Sequence, residues 1–179
     1  MVLPRCSILR SSDASAGLLA RVRDLLDEAF GGDFSDDDWS HALGGWHALV
    51  MLGDRIVSHA AVVPRTIEVG DTPLRCGYLE AVATRPDQRG HGHATRLLTE
   101  LSPVIRREFD IGMLSTSVHA FYAGLGWERW QGPTFTTANG ERIRTTEDDD
   151  GIMALRFGAH AAIPLNSPIT CNARTGDDW

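Results

Sequence analysis

The sequence predicts an α/β fold of the α+β kind, with a mixed, mostly antiparallel sheet flanked by helices. Two observations predict it. Apolar residues recur at the helical period over residues 14–30 and again from about residue 92, and at the strand period over residues 46–84. Three successive strands indicate antiparallel neighbours, and the helices that alternate with later strands complete an α/β pattern. We expect a single domain over residues 1–179.

The first forty residues are expected to hold one strand and two helices. Residues 5–9 are a short apolar strand, and residues 14–30 place their apolar side chains on one face of a helix. Two glycines follow this helix and end it. Ser35 predicts the N-cap of a second, short helix, whose first turn is acidic because carboxylates favour a helix N-terminus.

The middle of the chain predicts a run of strands followed by a helix. The strands lie at residues 46–52, 55–69 and about 73–84, and a Gly-Asp pair forms the first hairpin turn. The helix begins near residue 92 and carries a leucine-rich face. We expect Pro103 to kink or interrupt it, because proline lacks the backbone N–H that a helix needs.

The last seventy residues predict further strands and a short helix. Asn139 and Gly140 are typical of a two-residue hairpin turn. Gly126 ends the short helix, and Trp127 opens the next strand. Beyond residue 158 the periodicity is too weak to predict an element. The remaining expected elements are strands at 110–115, 133–138, 141–145 and 152–157, a helix at 117–125 and an acidic loop at 147–150.

The charge balance excludes some classes of partner. The 179 residues contain 17 Lys and Arg against 24 Asp and Glu, a net charge of −7. Nucleic acids and anionic membranes are bound by clustered basic residues, so we expect neither as a partner, and a charged ligand should be a cation. The first twenty residues lack the apolar core of a signal peptide, and three cysteines lie far apart, which together predict a cytoplasmic protein with free thiols.

The most informative stretch runs from Tyr78 to Leu98, where a strand ends and a glycine-rich loop, Arg89-Gly90-His91-Gly92-His93-Ala94, opens a helix. Backbone N–H groups at a helix N-terminus bind anions such as a pyrophosphate, and glycines permit close approach. A Walker A loop is excluded because its lysine is missing, and a Rossmann fingerprint because antiparallel strands precede the loop. A glycine-rich helix entry without a ligand is the alternative. The two histidines have no third ligand nearby in sequence, so we expect no metal.

The six residues from Arg89 resemble the R/Q-x-x-G-x-G/A loop by which the GNAT superfamily of N-acyltransferases binds the pyrophosphate of CoA. Other stretches resemble one GNAT family, the aminoglycoside 2'-N-acetyltransferases, over nearly the whole chain from Ala29 to Trp179. They are AFGGDFSDDDW (29–39), LGGWHALV (43–50), LRCGYLEAVATR (74–85), DDDG (148–151) and GDDW (176–179). The resemblance implies a GNAT sheet splayed between its fourth and fifth strands, acetyl-CoA as co-substrate, and acetylation of the 2'-amino group, which confers antibiotic resistance.

The resemblance also implies roles for individual residues. Glu80 would act as general base, and Tyr122 would protonate the leaving thiolate. The residues that contact CoA would be Val82, Ala83, Thr84, Arg89, Gly90, His91, Gly92, His93 and Ala94. Those that hold the aminoglycoside would be Asp33, Glu80, Ala81, Ser115, Asp148, Asp149, Asp177 and Trp179, the last through its terminal carboxylate. The family often has glycine where this chain has Ala81.

These residue types suit the chemistry. An aminoglycoside amine arrives largely protonated, so a base must remove a proton before nitrogen attacks the thioester. Acidic residues from distant parts of the chain would attract the polycation. Three alternatives stay open: a GNAT enzyme acting on another small amine or peptide, a binder of cationic ligands without catalysis, and purely structural roles for Glu80 and Tyr122. The sequence also leaves open whether the protein is a monomer or a homodimer.

Overall fold

The computed structural model describes residues 3–179, which fall into two compact units. The first unit comprises the residues up to Val63 together with Leu79–Val104. The second comprises Pro64–Tyr78 and Ile105–Trp179. Two long strands, β3 and β4 below, contribute residues to both units, and the single domain expected over residues 1–179 stays a prediction.

The first unit combines a meander of strands with two helices. Its elements are β1 (Arg5–Arg10), α1 (Ala16–Ala29), α2 (Asp36–His41), β2 (Trp46–Leu52), β3 (Arg55–Val69) and β4 (Thr72–Thr84). β2 pairs antiparallel with β1 and with β3, and β4 lies beside β3. The predicted bounds of β2 and β3 are confirmed. A buried apolar cluster joins α1 to these strands: Val22, Leu25, Leu26, Phe34, Leu49, Ile56 and Ala83.

Side-chain caps set where the two N-terminal helices begin. Ser15 accepts a hydrogen bond from the backbone N–H of Leu18, so α1 starts one residue later, at Ala16. Ser35 accepts from the N–H of Asp38, whose carboxylate in turn accepts from the N–H of Ser35. This reciprocal capping box explains why a helix of only six residues forms here, and the prediction of an acidic helix capped by Ser35 is confirmed.

Helix α3 (His93–Glu108) continues through Pro103, so this proline does not interrupt the helix, and the alternative of a kink stays a prediction. Proline within a helix removes one hydrogen bond and costs roughly 3 kcal/mol. Apolar residues on both sides of it, Leu101 and Ile105, are nevertheless fully buried. Burying side chains of that size contributes about 1.5–3 kcal/mol each, which is enough to carry the helix past the proline.

The second unit contains the rest of the sheet. Its further elements are β5 (Ile111–Ser115), α4 (His119–Ala123), β6 (Glu128–Arg129), β7 (Thr134–Ala138), β8 (Glu141–Arg144), β9 (Ile152–Leu155) and β10 (Ile169–Asn172). The strands follow the order β6-β9-β5-β4-β3-β10-β7-β8. β4 with β5 and β7 with β10 are parallel pairs, whereas β5 with β9, β6 with β9, β3 with β10 and β7 with β8 are antiparallel. The predicted mixed, mostly antiparallel sheet is therefore confirmed.

The parallel ladder of β4 and β5 is short. It holds three residue pairs and ends where Tyr78 lies opposite Met113. Beyond that pair β4 continues for six residues to Thr84, and β5 continues to Ser115. The splay expected between the fourth and fifth strands stays a prediction.

Several C-terminal elements differ in detail from those expected. The Asn139-Gly140 turn is confirmed, and both residues have positive φ, of 52° and 81°. Trp127 lies just before β6 instead of opening it, and residues 146–148 form a 3-10 turn where a loop was expected. α4 is shorter than residues 117–125, and β9 ends at Leu155. Strand β10 was not predicted, because four residues are too few for a strand period to stand out.

Candidate active site

The glycine-rich loop lies between β4 and α3. Gly90 and Gly92 have φ values of +79° and +75°, which L-residues rarely adopt. An added Cβ would meet nothing within 4 Å at either position, so the backbone conformation, and not space, requires glycine there. The turn delivers the chain to His93, the first residue of α3, where amide N–H groups have no partner within the helix. The loop therefore has the form of an anion-binding helix entry.

Arg89 and the two histidines hold this loop in place. The Arg89 guanidinium donates to the backbone oxygens of Ala29, at 2.8 Å, and Thr84, at 3.3 Å. The His91 ring lies 3.0 Å from the Arg89 oxygen through Nδ1. His93 is buried, and its Nε2 has no hydrogen-bond partner among residues 3–179. Arg89 is thus occupied with anchoring the loop, which leaves backbone amides as the groups available to an anion.

A residue with positive φ lies within β4 next to Glu80. Ala81 has φ +50°, one of two positive values for non-glycine residues in the described chain. Such a conformation costs an L-residue about 1–2 kcal/mol, whereas glycine adopts it freely, which is why glycine suits this position. Glu80 and Val82, on either side of Ala81, are both half-buried. The direction of the Glu80 side chain and of the Val82 N–H therefore depends on this residue.

Two buried histidines lie behind Ala81, one in contact with it and the other in contact with the first, and the sequence reasoning missed them. His59 Nδ1 lies 2.8 Å from the backbone oxygen of Ala81, and His59 Nε2 lies 2.9 Å from His47 Nδ1. Ser11 Oγ lies 2.8 Å from the remaining nitrogen of His47. Burial lowers the pKa of both rings, to about 3 for His59. The signal that could have found them is a histidine inside an apolar strand, in WHALVML and again in SHAAVV.

Tyr122 lies on α4 with only 7% of its surface exposed. Its ring packs edge-on against Phe121 and Trp127, with centroid distances of 5.0 Å and 6.4 Å. Burial raises the pKa of its hydroxyl to about 12. The side chain is therefore a neutral O–H donor across the physiological pH range, as a group that protonates a thiolate must be.

Four acidic residues of the second unit interact electrostatically: Glu147, Asp148, Asp177 and Asp178. Asp148 is half-buried, and burial raises its pKa, with the negative charges of Glu147, Asp177 and Asp178 acting in the same direction. A carboxylate whose ionised form is disfavoured by its neighbours marks a region of negative potential. Such a region attracts cations.

Asp149 is held differently from Asp148. Its carboxylate forms an ion pair with Arg144 and accepts hydrogen bonds from the N–H and the hydroxyl of Thr134, both at 2.9 Å. The Arg144 guanidinium is the main reason that its pKa falls to about 2. The carboxylate thus fastens residue 149 to the β7–β8 hairpin. Its predicted contact with an aminoglycoside stays a prediction.

The remaining predicted ligands are placed as follows. Asp33 is exposed in the loop after α1, in the first unit. Ser115 ends β5, and its Oγ would lie 2.8 Å from a Cβ added to Gly151, so glycine there leaves room for the hydroxyl. Trp179 is 5% exposed, and the oxygen of the preceding Asp178 accepts a hydrogen bond from the Cys171 thiol. The C-terminal tail is therefore packed in place.

Within residues 3–179 the three cysteines are free thiols, Cys6 half-buried and the other two buried. In the same range there is no group of three or more His, Cys, Asp and Glu side chains that could hold a metal ion. None of the helices in this part of the chain is long and apolar enough to cross a membrane.

Comparison with known proteins identifies the family. Residues 12–130 match the family described as the acetyltransferase (GNAT) domain. An aminoglycoside 2'-N-acetyltransferase of Mycolicibacterium fortuitum is 42% identical over 182 residues, which cover 99% of this chain and 93% of that protein.

Solved structures show the same fold at low sequence identity. The GNAT family N-acetyltransferase YhbS of Escherichia coli, solved with CoA, has a TM-score of 0.67 at 15% identity, over 96% of this chain and 91% of that one. A GNAT acetyltransferase of Brucella melitensis, solved with acetyl-CoA, has a TM-score of 0.60 at 16% identity, over 92% and 94%. Fold, glycine-rich loop and sequence identity agree, and the chain belongs to the aminoglycoside 2'-N-acetyltransferase family of GNAT acetyltransferases.

Proposed function

We propose that this protein transfers an acetyl group from acetyl-CoA to the 2'-amino group of aminoglycosides and so inactivates these antibiotics. The observation that carries the proposal is the 42% identity with an aminoglycoside 2'-N-acetyltransferase over nearly the full length of both proteins. At that identity and coverage, family membership extends to the parts of the chain outside the glycine-rich loop. The loop alone would support CoA binding without naming an acceptor.

The residues present fit acetyl-CoA. Gly90 and Gly92 carry no side chain that would cover the backbone ahead of α3. The Arg89 side chain holds the loop through hydrogen bonds to the backbone oxygens of Ala29 and Thr84. A pyrophosphate would be bound by the amides of residues 89–94, because the helix N-terminus favours negative charge. The backbone of Val82, Ala83 and Thr84 would serve the amide groups of the pantetheine arm.

The transfer requires three proton movements when the amine arrives as an ammonium ion. Glu80 takes the first proton before the nitrogen attacks the thioester carbonyl carbon and passes it to solvent. As the C–N bond forms and the C–S bond breaks, the nitrogen loses its second proton to water, and the Tyr122 hydroxyl gives a proton to the departing thiolate and regains one from water. Burial raises the pKa of the Tyr122 hydroxyl, which keeps it protonated but makes it a weaker acid, so the assignment rests on the family resemblance. The N–H of Val82 would stabilise the negative charge on the carbonyl oxygen.

The acidic residues would bind the ammonium groups of the acceptor. Mutual repulsion around Asp148 and Asp177 supports a cation at this place, because a bound ammonium group would relieve it. Asp33, Ser115 and the terminal carboxylate of Trp179 complete the proposed set. Asp149 also belongs to the proposed set, and a ligand there would share its carboxylate with Arg144.

Thiol release from acetyl-CoA tests the proposal against a GNAT enzyme with another acceptor and against a binder without catalysis. We expect CoA thiol to appear when tobramycin or gentamicin is added, and NMR of the product to locate the acetyl group on the 2'-nitrogen. Binding of tobramycin without thiol release would support the binder. Thiol release only with other amines or peptides would support the other enzyme class.

The composition also supports proposals about partners and compartment. The net charge of −7 supports a protein that binds neither nucleic acid nor anionic membranes. Free thiols support a reducing compartment such as the cytoplasm. Sedimentation at several concentrations would distinguish a monomer from a homodimer.

A further inference from the structure

A chain of hydrogen bonds leads from Ser11 through two histidine rings to the backbone of Ala81. Its links are Ser11 Oγ to His47 Nε2, His47 Nδ1 to His59 Nε2, and His59 Nδ1 to the Ala81 oxygen, at 2.8, 2.9 and 2.8 Å. His47 and His59 are 1% and 0% exposed. The mechanism above assigns no role to either ring.

The chemistry of the last acceptor fixes the direction of every link. A backbone carbonyl can only accept, so His59 must carry its proton on Nδ1. In a neutral ring His59 Nε2 then accepts, so His47 also carries its proton on Nδ1. His47 Nε2 accepts in turn, and the Ser11 hydroxyl donates to it. The Gly44 N–H, 3.0 Å from Ser11 Oγ, completes the chain.

Neutrality of both rings is part of this arrangement. A protonated His59 would turn two N–H donors toward each other at the 2.9 Å contact with His47. Burial lowers the pKa of both histidines, and for His59 the positive charge of a protonated His47 acts in the same direction. Each ring is thus confined to one protonation state and one tautomer.

The carbonyl at the end of the chain belongs to the strained residue of β4. A left-handed residue inside a strand breaks the regular ladder and leaves backbone groups to be paired elsewhere. β3 supplies the partners from side chains. His59 donates to the Ala81 oxygen, and the adjacent Ser58 hydroxyl donates to the Ala83 oxygen at 2.8 Å. Without these donors the β4 backbone could relax from the conformation at Ala81.

We infer that His59, fixed by His47, is a positioning residue for acetyl transfer, because its ring holds the Ala81 carbonyl and with it the backbone that directs Glu80 and the Val82 N–H. The inference rests on the proposed function, since it assigns the histidines to the alignment of the proposed base. The inference thus adds two buried side chains, one from β2 and one from β3, to the residues that align Glu80 on β4.

Two substitutions at residue 59 separate positioning from mere stability. In His59→Asn the side-chain amide nitrogen lies where ring Nδ1 was, so the bond to the Ala81 oxygen is kept and the one to His47 is lost. In His59→Gln the longer side chain places its amide near the former Nε2, so the contact with His47 is kept and the bond to Ala81 is lost. Each variant leaves one buried polar group unpaired, so the two lose comparable stability.

Steady-state kinetics and thermal unfolding of both variants test the inference. We expect His59→Gln to lower kcat by about 10- to 100-fold, the effect of a small misplacement of reacting groups, with little change in the KM for acetyl-CoA. His59→Asn keeps the bond to Ala81 but loses the support of His47, so it should lower kcat clearly less than His59→Gln does, while both lower the unfolding temperature to a similar extent. Equal kcat values in the two variants, or losses that follow the unfolding temperatures, would overturn the inference.

Nitrogen NMR of the unaltered protein gives a second readout, independent of turnover and of how well the variants fold. We expect both buried rings to be neutral with the proton on Nδ1. A proton on Nε2 of either ring would overturn the inference. A protein that transfers no acetyl group to any aminoglycoside while both rings carry Nδ1–H would refute the proposed function but not the hydrogen-bond chain.

Discussion

At the scale of single residues, the surroundings of each side chain decide which proton it holds. Burial raises the pKa of Tyr122 to about 12, and burial lowers that of His59 to about 3. Both groups are therefore neutral near pH 7, because burial disfavours the charged form of each. The neutral phenol is the protonated form, whereas the neutral imidazole is the form that has not taken up a second proton. Tyr122 can therefore donate a proton, and His59 can donate its hydrogen bond to Ala81, without a prior change in the charge of either group.

Tyr122→Phe removes the hydroxyl and keeps the ring that packs on Phe121 and Trp127. We expect kcat near pH 7 to fall by about 10²-fold, because the thiolate would leave without a proton donor. The unfolding temperature should change little, since the packing survives. An unchanged kcat in a stopped-flow or steady-state assay would remove Tyr122 from the acid role.

Glu80→Gln keeps the size of the side chain and removes its basicity. We expect the rate to fall by about 10²- to 10⁴-fold at low pH and to recover partly at high pH, where the amine loses its proton to solvent. Glu68→Gln, an exposed carboxamide substitution on β3, is the matched control and should leave the pH–rate profile unchanged. If Glu80→Gln shows the profile of the unaltered protein, another group is the base.

Some roles of single residues could be predicted from the sequence, and others could not. Gly90 and Gly92 were predictable because a local motif needs positive φ, and the structure has it there. Asp149 could not be told from Asp148 in a run of aspartates, since only the folded hairpin brings Arg144 and Thr134 to one of them. His59 lacked a motif because its partner lies on another strand.

At the scale of elements, the glycine-rich loop requires a backbone conformation that can be tested without a steric change. Gly92→Ala adds a methyl group into open space at φ +75°, which costs about 1–2 kcal/mol. We expect a higher KM for acetyl-CoA and reduced stability. Gly17→Ala, also into open space but within α1, is the matched control and should stabilise by about 0.5–1 kcal/mol. Equal effects of the two substitutions on the KM for acetyl-CoA would contradict the role of the loop.

Elements with a local cause were predictable, and those with a distant cause were not. The bounds of β2 and β3 and the capping box of α2 follow from turns and caps within a few residues. β10 exists because β3 and β7 provide hydrogen bonds on both its sides, and its four residues are too few to show a strand period in the sequence. The burial of Leu101 and Ile105, which carries α3 past Pro103, is likewise a tertiary effect.

At the scale of the whole molecule, buried histidines make stability depend on pH. His59 has a pKa of about 3 in the folded protein against an ordinary 6.5, so below about pH 6.5 the unfolded chain binds a proton that the folded one refuses. The stability that this ring contributes is present above pH 6.5 and is lost as pH falls. We expect the free energy of unfolding, from urea denaturation, to drop by about 1 kcal/mol per pH unit for each such histidine between about pH 6.5 and 5.

His59→Asn, which lacks the titrating ring, is the control for this pH dependence, and its curve should be flatter over the same range. Carboxylates stabilised by ion pairs, such as Asp149 and Asp110, contribute at lower pH, because their pKa values are lowered from about 3.8. Parallel curves for the variant and the unaltered protein would mean that His59 is not held neutral in the fold.

The carboxylates that give the net charge of −7 differ in their surroundings. Several carboxylates are neutralised by arginine, as Glu128 is by Arg156 and Asp110 is by Arg75. Asp148 instead lies among like charges. The overall acidity disfavours nucleic acids as partners, and the unneutralised carboxylates around Asp148 favour a polycationic acceptor.

The central claim is that this chain acetylates the 2'-amino group of an aminoglycoside. Kanamycin B and kanamycin A test it most directly, because they differ only in carrying an amino or a hydroxyl group at the 2' position. The measurement is kcat/KM for each, from thiol release, with the product of kanamycin B examined by NMR. We expect turnover of kanamycin B with the acetyl group on the 2'-nitrogen and no turnover of kanamycin A. Equal turnover of the two compounds, or an acetyl group on another nitrogen, would contradict it.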